Sequence, residues 1–195
     1  MTKVLGFLVV ALVAVGLATT ARADVSSDLA AGIQQSAMVQ AVFTAGLNWK
    51  VGDKASYKLS NALLNGTVNS YVKQDTGTGY WFNQDVDLGA MGKQVMEILI
   101  NKSTGKIEKL LVNGKEQAIP DNDQEIVETK GDHVRVPAGE FDCLYAKIKN
   151  KKDGSIAEAW LNMKLVPIAG MVKEIANSQV GPITEELTSM QFAPR

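Results

Sequence analysis

The sequence predicts a mainly β fold of the α+β class: an antiparallel sheet of about ten or eleven strands with one N-terminal helix packed across its concave face. Three observations lead there. From Trp49 onward, short stretches alternate apolar and polar residues and are separated by turn signals. The stretch from Leu29 to Trp49 carries no charge and is rich in Ala, Leu, Gln and Met, which favours helix. The 195 residues are 46% hydrophobic and 21% charged, a composition that folds rather than stays disordered.

Ahead of the domain, Lys3 gives a positive start, Val4–Leu17 is almost unbroken apolar sequence, and Ala21-Arg22-Ala23 is an A-x-A cleavage signal. Residues 1–23 are therefore expected to be a secretory signal peptide cleaved after Ala23, and residues 24–195 one domain. The expected location is periplasmic or secreted, with no integral membrane segment after cleavage. No cysteine follows the apolar run, so a lipid anchor at that point is not expected.

The helix comes first in the domain. Ser26 or Ser27 can cap its start and Gly46 can close it. On a helical wheel Leu29, Ile33, Val39, Phe43 and Leu47 form one apolar arc. A helix without charge over several turns is expected to be shielded by protein on most sides.

Strands are expected at Ala55–Ser60, Thr67–Gln74, Gly79–Val86, Lys93–Asn101, Lys106–Asn113, Glu125–Lys130, Val134–Val136, Glu140–Asn150, Ser155–Met163, Gly170–Ala176 and Thr184–Phe192. Ser103-Thr104-Gly105 joins two of them, and Asn113-Gly114 favours the positive φ of a tight hairpin. Asp153-Gly154 suits a two-residue turn, which would set Lys149 opposite Glu158 and Lys147 opposite Trp160. The other face of that hairpin then carries Leu144, Ala146, Ile148, Ala159, Leu161 and Met163, all apolar and in need of cover.

Catalytic chemistry finds little to work with. The chain has one histidine, His133, and one cysteine, Cys143, and no nucleophile elbow of the G-x-S-x-G type. Mid-strand, Cys143 suits packing better than attack. Asp121-Asn122-Asp123-Gln124-Glu125 resembles the start of a calcium loop but lacks the sixth-position glycine and twelfth-position glutamate. Asp85 and Asp87 share a strand face without a sugar-binding setting. Gly77-Thr78-Gly79 is followed by Tyr80-Trp81-Phe82 rather than a helix, so it reads as a hairpin turn and not a phosphate cradle. A formal net charge of −1 argues against a nucleic-acid surface. The expectation is a protein that is not an enzyme and takes no cofactor and no metal.

Hydrophobic surface remains. Six methionines follow the signal segment: Met38, Met91, Met96, Met163, Met171 and Met190. Methionine adapts to irregular apolar ligands. A curved sheet with an uncharged helix across it leaves an apolar crevice where the two part. The candidate lining is Leu29, Ile33 and Phe43 from the helix, Met96, Ile98 and Ile100 from one wall, and Leu144, Ile148, Leu161 and Met163 from the other.

Two segments add a resemblance. Val136-Pro137-Ala138-Gly139-Glu140-Phe141-Asp142-Cys143 is one. Trp160-Leu161-Asn162, then Val166-Pro167-Ile168-Ala169-Gly170-Met171-Val172-Lys173-Glu174, then Thr184-Glu185-Glu186-Leu187 is the other. Together with Trp49-Lys50-Val51-Gly52-Asp53 they resemble envelope proteins of the LolA/LolB-like half-barrel superfamily. The resemblance implies a strongly curved half-barrel sheet plugged by helix on its concave side, and a carrier of lipoprotein acyl chains. The expected function is thus a soluble periplasmic binding or carrier protein for lipid or a lipidated protein, acting by sequestration. The rival expectation is an envelope interaction or structural module with a filled core.

Overall fold

A period-two pattern places alternate side chains on opposite faces of a strand, and this chain sustains it almost throughout. The computed structural model describes residues 47–62, 65–119, 124–178 and 181–194. They form eleven strands: β1 Lys54–Ser60, β2 Asn65–Asp75, β3 Gly79–Asp87, β4 Lys93–Asn101, β5 Ile107–Val112, β6 Lys115–Gln117, β7 Gln124–Val136, β8 Gly139–Asn150, β9 Ile156–Leu161, β10 Met171–Ser178 and β11 Gly181–Gln191. All belong to one open sheet in the order β6-β5-β4-β3-β2-β1-β11-β10-β9-β8-β7, with every pairing antiparallel. The chain walks outward from β1 to the edge strand β6, crosses to the opposite edge at β7, and walks back until β11 pairs with β1.

One face gathers the apolar phase of the strands. Ala55, Tyr57 and Leu59 of β1, Val68 and Val72 of β2, Tyr80, Phe82 and Val86 of β3, and Met96, Ile98 and Ile100 of β4 are all buried. So are Ala146 and Ile148 of β8, Ala159 and Leu161 of β9, Val172 and Ala176 of β10, and Ile183 and Leu187 of β11. The sheet curls toward this inner face. The Ala138 amide, in the β7–β8 turn, donates to the Leu187 carbonyl of β11 at 3.0 Å, although β8, β9 and β10 lie between β7 and β11 in the sheet. Likewise the Tyr57 hydroxyl reaches past β11 to the Met171 carbonyl at the start of β10, 3.2 Å away.

The α+β expectation is corrected by these observations. Among the described residues the sole helical piece is the single 3₁₀ turn Gly89–Met91, and no helix packs across the sheet. The expected helix lies outside the described residues, apart from Leu47, which sits in irregular chain whose amide donates to the Lys102 carbonyl. Side chains from irregular chain pack where helix was expected. The Trp49 indole lies 5.9 Å from the Tyr80 ring and 5.7 Å from the Phe82 ring, and its Nε1–H donates to the Ile168 carbonyl. Ile168 holds φ +65°, a left-handed conformation that a β-branched residue adopts only when its surroundings enforce it.

Three local expectations also change. Val134–Val136 is not a separate strand, because β7 runs unbroken through Gly131 against β8. Strand β6 has no apolar alternation to reveal it, yet the Asn113-Gly114 turn, with φ +51° and +76°, forces it back onto β5. In the β8–β9 hairpin Lys147 faces Glu158 and Tyr145 faces Trp160, two residues away from the expected register. Gly154 alone holds positive φ there, so the loop is longer than two residues and closes through Asn150 N–H to the Ser155 carbonyl. An even offset keeps every side chain on its expected face.

Candidate functional site

The candidate lining splits into three groups. Met96, Ile98 and Ile100 are no more than 1% exposed and belong to a cluster with Trp49, Phe82, Leu110 and Ile168. Ile148 and Leu161 are also buried, in a neighbouring cluster built on Tyr57, Leu59, Val172, Ile183 and Leu187. Leu144, midway along β8 opposite the last residue of β9, and Met163, just past β9, are 41% and 42% exposed, so they lie at the surface and not in a wall. Leu29, Ile33 and Phe43 lie outside the described residues.

The inner face is not wholly apolar. Gln84 of β3 and Ser70 of β2 are buried and paired, Gln84 Nε2 donating to Ser70 Oγ at 3.2 Å. More unusual are Glu174 of β10 and Glu185 of β11. They are direct Cα partners, and neither has measurable exposure. Both stand on the apolar phase of their strands, Val172-Glu174-Ala176 and Ile183-Glu185-Leu187. The row they occupy continues through Leu59 of β1 on one side and through Ala159 of β9 and Ala146 of β8 on the other. Both carboxyl oxygens of Glu174 are buried without a hydrogen-bond partner. Desolvation first, then the neighbouring Glu185, pushes the Glu174 carboxyl well above the usual carboxylate range. Burial, then Glu185 and Glu174, likewise raises the Tyr57 phenol.

The acid pair was open to sequence reading, since each glutamate interrupts an apolar alternation at a position that points inward. Both sit in the segments that carry the family resemblance.

The other candidates fall apart spatially. His133 and Cys143 point to opposite faces, because Asp142 faces His133 and Asp132 faces Cys143. The His133 imidazole is held by Asp142, Nδ1 to Oδ1 at 2.8 Å, on an exposed surface. Cys143 is buried, and desolvation followed by Asp132 and Asp142 raises its thiol to about 11, far from a reactive thiolate. Asp87 pairs with Lys93 at 2.9 Å. Gly77 is the tip of the β2–β3 hairpin, closed by the Thr76 amide to the Gly79 carbonyl. Asp121–Asp123 lie outside the described residues. Among the described residues no three metal-ligating side chains converge.

The outer face carries a ladder that sequence reasoning anticipated in kind but not in partners. The Lys130 ammonium lies over the Tyr145 ring at 4.6 Å, Tyr145 packs edge-on against Trp160 at 5.2 Å, and Lys173 lies 5.8 Å from Trp160. Trp160 Nε1–H donates to Asp132, and Lys173 pairs with Glu186 at 3.0 Å.

No protein-family model matches the chain, and no curated protein does. Among solved structures it is similar to a crystal structure from Bacteroides fragilis NCTC 9343, described as a candidate exported protein with a YmcC-like fold. The identity is 14%, the TM-score 0.41, and the match covers 75% of this chain and 98% of the other. Among the described residues no helix is long and apolar enough to cross a membrane.

Proposed function

We propose that the protein is a non-catalytic binding protein of the cell envelope, periplasmic or secreted, that holds the acyl chain of a lipid or lipidated protein along the inner face of its sheet. The observation that carries this reading is the apolar face that runs from Ile98 of β4 to Ile148 of β8 and meets solvent at Leu144 and Met163. The signal-like residues 1–23 support action outside the cytoplasm. An acyl chain gains roughly 0.8 kcal/mol per buried CH₂ before ordering costs, so affinity needs length more than polar contacts.

A second reading, an interaction module with a filled interior, is favoured by the complete burial of Met96, Ile98 and Ile100. One experiment separates the two. Protein purified without detergent from its own cells is examined by native mass spectrometry, and the unliganded form is titrated with a fluorescent fatty-acyl probe. Copurifying lipid and saturable probe binding are expected, with binding weakened by Leu144→Asp and Met163→Asp, whose side chains are exposed and whose folding is spared. A ligand-free mass together with no probe binding overturns the carrier reading in favour of the filled module.

A further inference from the structure

An acyl ligand has a head as well as a tail, and the inner face has one place built to meet it. Glu174 offers two carboxyl oxygens that are fully buried and accept no hydrogen bond from the protein. A buried polar group left unpaired is costly, and native proteins answer it with water, an ion or a ligand. The Tyr57 hydroxyl, on the same face, is already committed: its proton is donated to the Met171 carbonyl. No basic side chain shares the face on the described strands packed around it. The inward positions are Ala55, Tyr57 and Leu59 on β1, Ala157, Ala159 and Leu161 on β9, Val172 and Ala176 on β10, and Ile183, Glu185 and Leu187 on β11. Lys173 and Glu186, between these positions, pair with each other on the outer face. What this position lacks is therefore a donor from outside the chain, and a donor with positive charge also neutralises a carboxylate beside a second acid. Ala159 and Ala146 continue the row, so only methyl side chains stand next to Glu174 on that side.

Resting on the acyl-binding reading, we propose that Glu174, with Glu185 beside it, is the head-group subsite for a long-chain primary amine. Hydrocarbon lies along the apolar face and the ammonium donates to the Glu174 carboxylate. The proton balance is simple. An amine arriving as the free base takes the carboxyl proton of Glu174 onto its nitrogen. An amine arriving as ammonium displaces that proton to solvent, one per molecule bound. A carboxylate or phosphate head would bury a charge beside the acid pair with no cation to neutralise it, which disfavours it.

The test uses decylamine, decanol and decanoate as competitors of the fatty-acyl probe on the full protein near neutral pH. In the wild type the amine should displace the probe at a concentration about tenfold or more below the alcohol, as expected for a charge-assisted bond out of water, with decanoate weakest. In Glu174→Gln, checked for folding by circular dichroism and melting, the amine should fall to the level of the alcohol while the alcohol is unchanged. If the alcohol competes and the amine does no better in the wild type, or if the amine keeps its advantage in the folded variant, the subsite is refuted while acyl binding stands. If neither the probe nor any competitor binds, the acyl-binding reading and this inference fall together.

Discussion

Glu174 and Glu185 face each other across adjacent strands with no solvent on either side chain. The folded state raises the Glu174 pKa, so it binds a proton more tightly than the unfolded chain does. The stabilisation this gives is complete below the ordinary glutamate value of 4.5 and is lost as pH climbs toward the raised folded value. Glu174→Gln cannot ionise. Its melting temperature should match the wild type near pH 4 and exceed it increasingly toward alkaline pH, as the stability difference grows by about 1.4 kcal/mol for each pH unit of the shift traversed. Parallel melting curves at all pH values would contradict this.

Met96 is 1% exposed and sits among Val112, Gln84 and the Trp49 cluster. Met96→Ala should cost about 2–5 kcal/mol in a denaturant titration, the range for deleting a large core side chain. Met96→Asp should prevent folding altogether, which makes it unsuitable as a binding probe. A loss below about 1 kcal/mol for the alanine variant would mean that the site collapses freely or is loosely packed.

Gly170 and Gly154 share a left-handed backbone, φ +72° and +73°, but differ in surroundings. A Cβ at Gly170 would meet the Met163 backbone at 2.9 Å, whereas one at Gly154 meets nothing within 4 Å. Gly154→Ala should cost about 1 kcal/mol from backbone strain alone. Gly170→Ala should cost at least about twice that, measured side by side by chemical denaturation. Equal costs would show that the loop of residues 162–170 yields easily.

The Cys143 thiol, raised to about 11 by burial, has little thiolate at pH 8. Its modification by a thiol reagent should follow unfolding, accelerating only at denaturant concentrations where the sheet opens. Rapid stoichiometric labelling of the native protein would place the thiol at the surface.

Much of the sheet was readable because alternation is a direct print of burial. Lys93–Asn101 is found with its expected bounds, and Asn113-Gly114 closes a hairpin as its φ preference requires. What was hidden depends on long-range contact. Nothing local says that Trp49 reaches Ile168, 119 residues away, or that the Ala138 turn folds over to Leu187. The β8–β9 register escaped because the loop around Gly154 admits more than one length, and only cross-strand pairing such as Lys147 with Glu158 selects among them. Strand β6 escaped because it is held by a turn and by pairing with three residues of β5 rather than by burial. For the candidate site, alternation correctly put Ile98, Ile148 and Leu161 inside, but it ranks residues by hydrophobicity and so passed over Glu174 and Glu185, whose interest lies in being polar at inward positions.

The pairing of β1 with β11 makes the two ends of the described sheet meet at its centre, while its free edges come from mid-sequence. Each outer half is a meander that can zip up by neighbouring hairpins, but they become one layer only when the final strand arrives. A chain shortened before Gly181 would be left as two half-sheets with raw margins. A single strand, β11, thus welds the halves together, bonded to β1 along one margin and to β10 along the other.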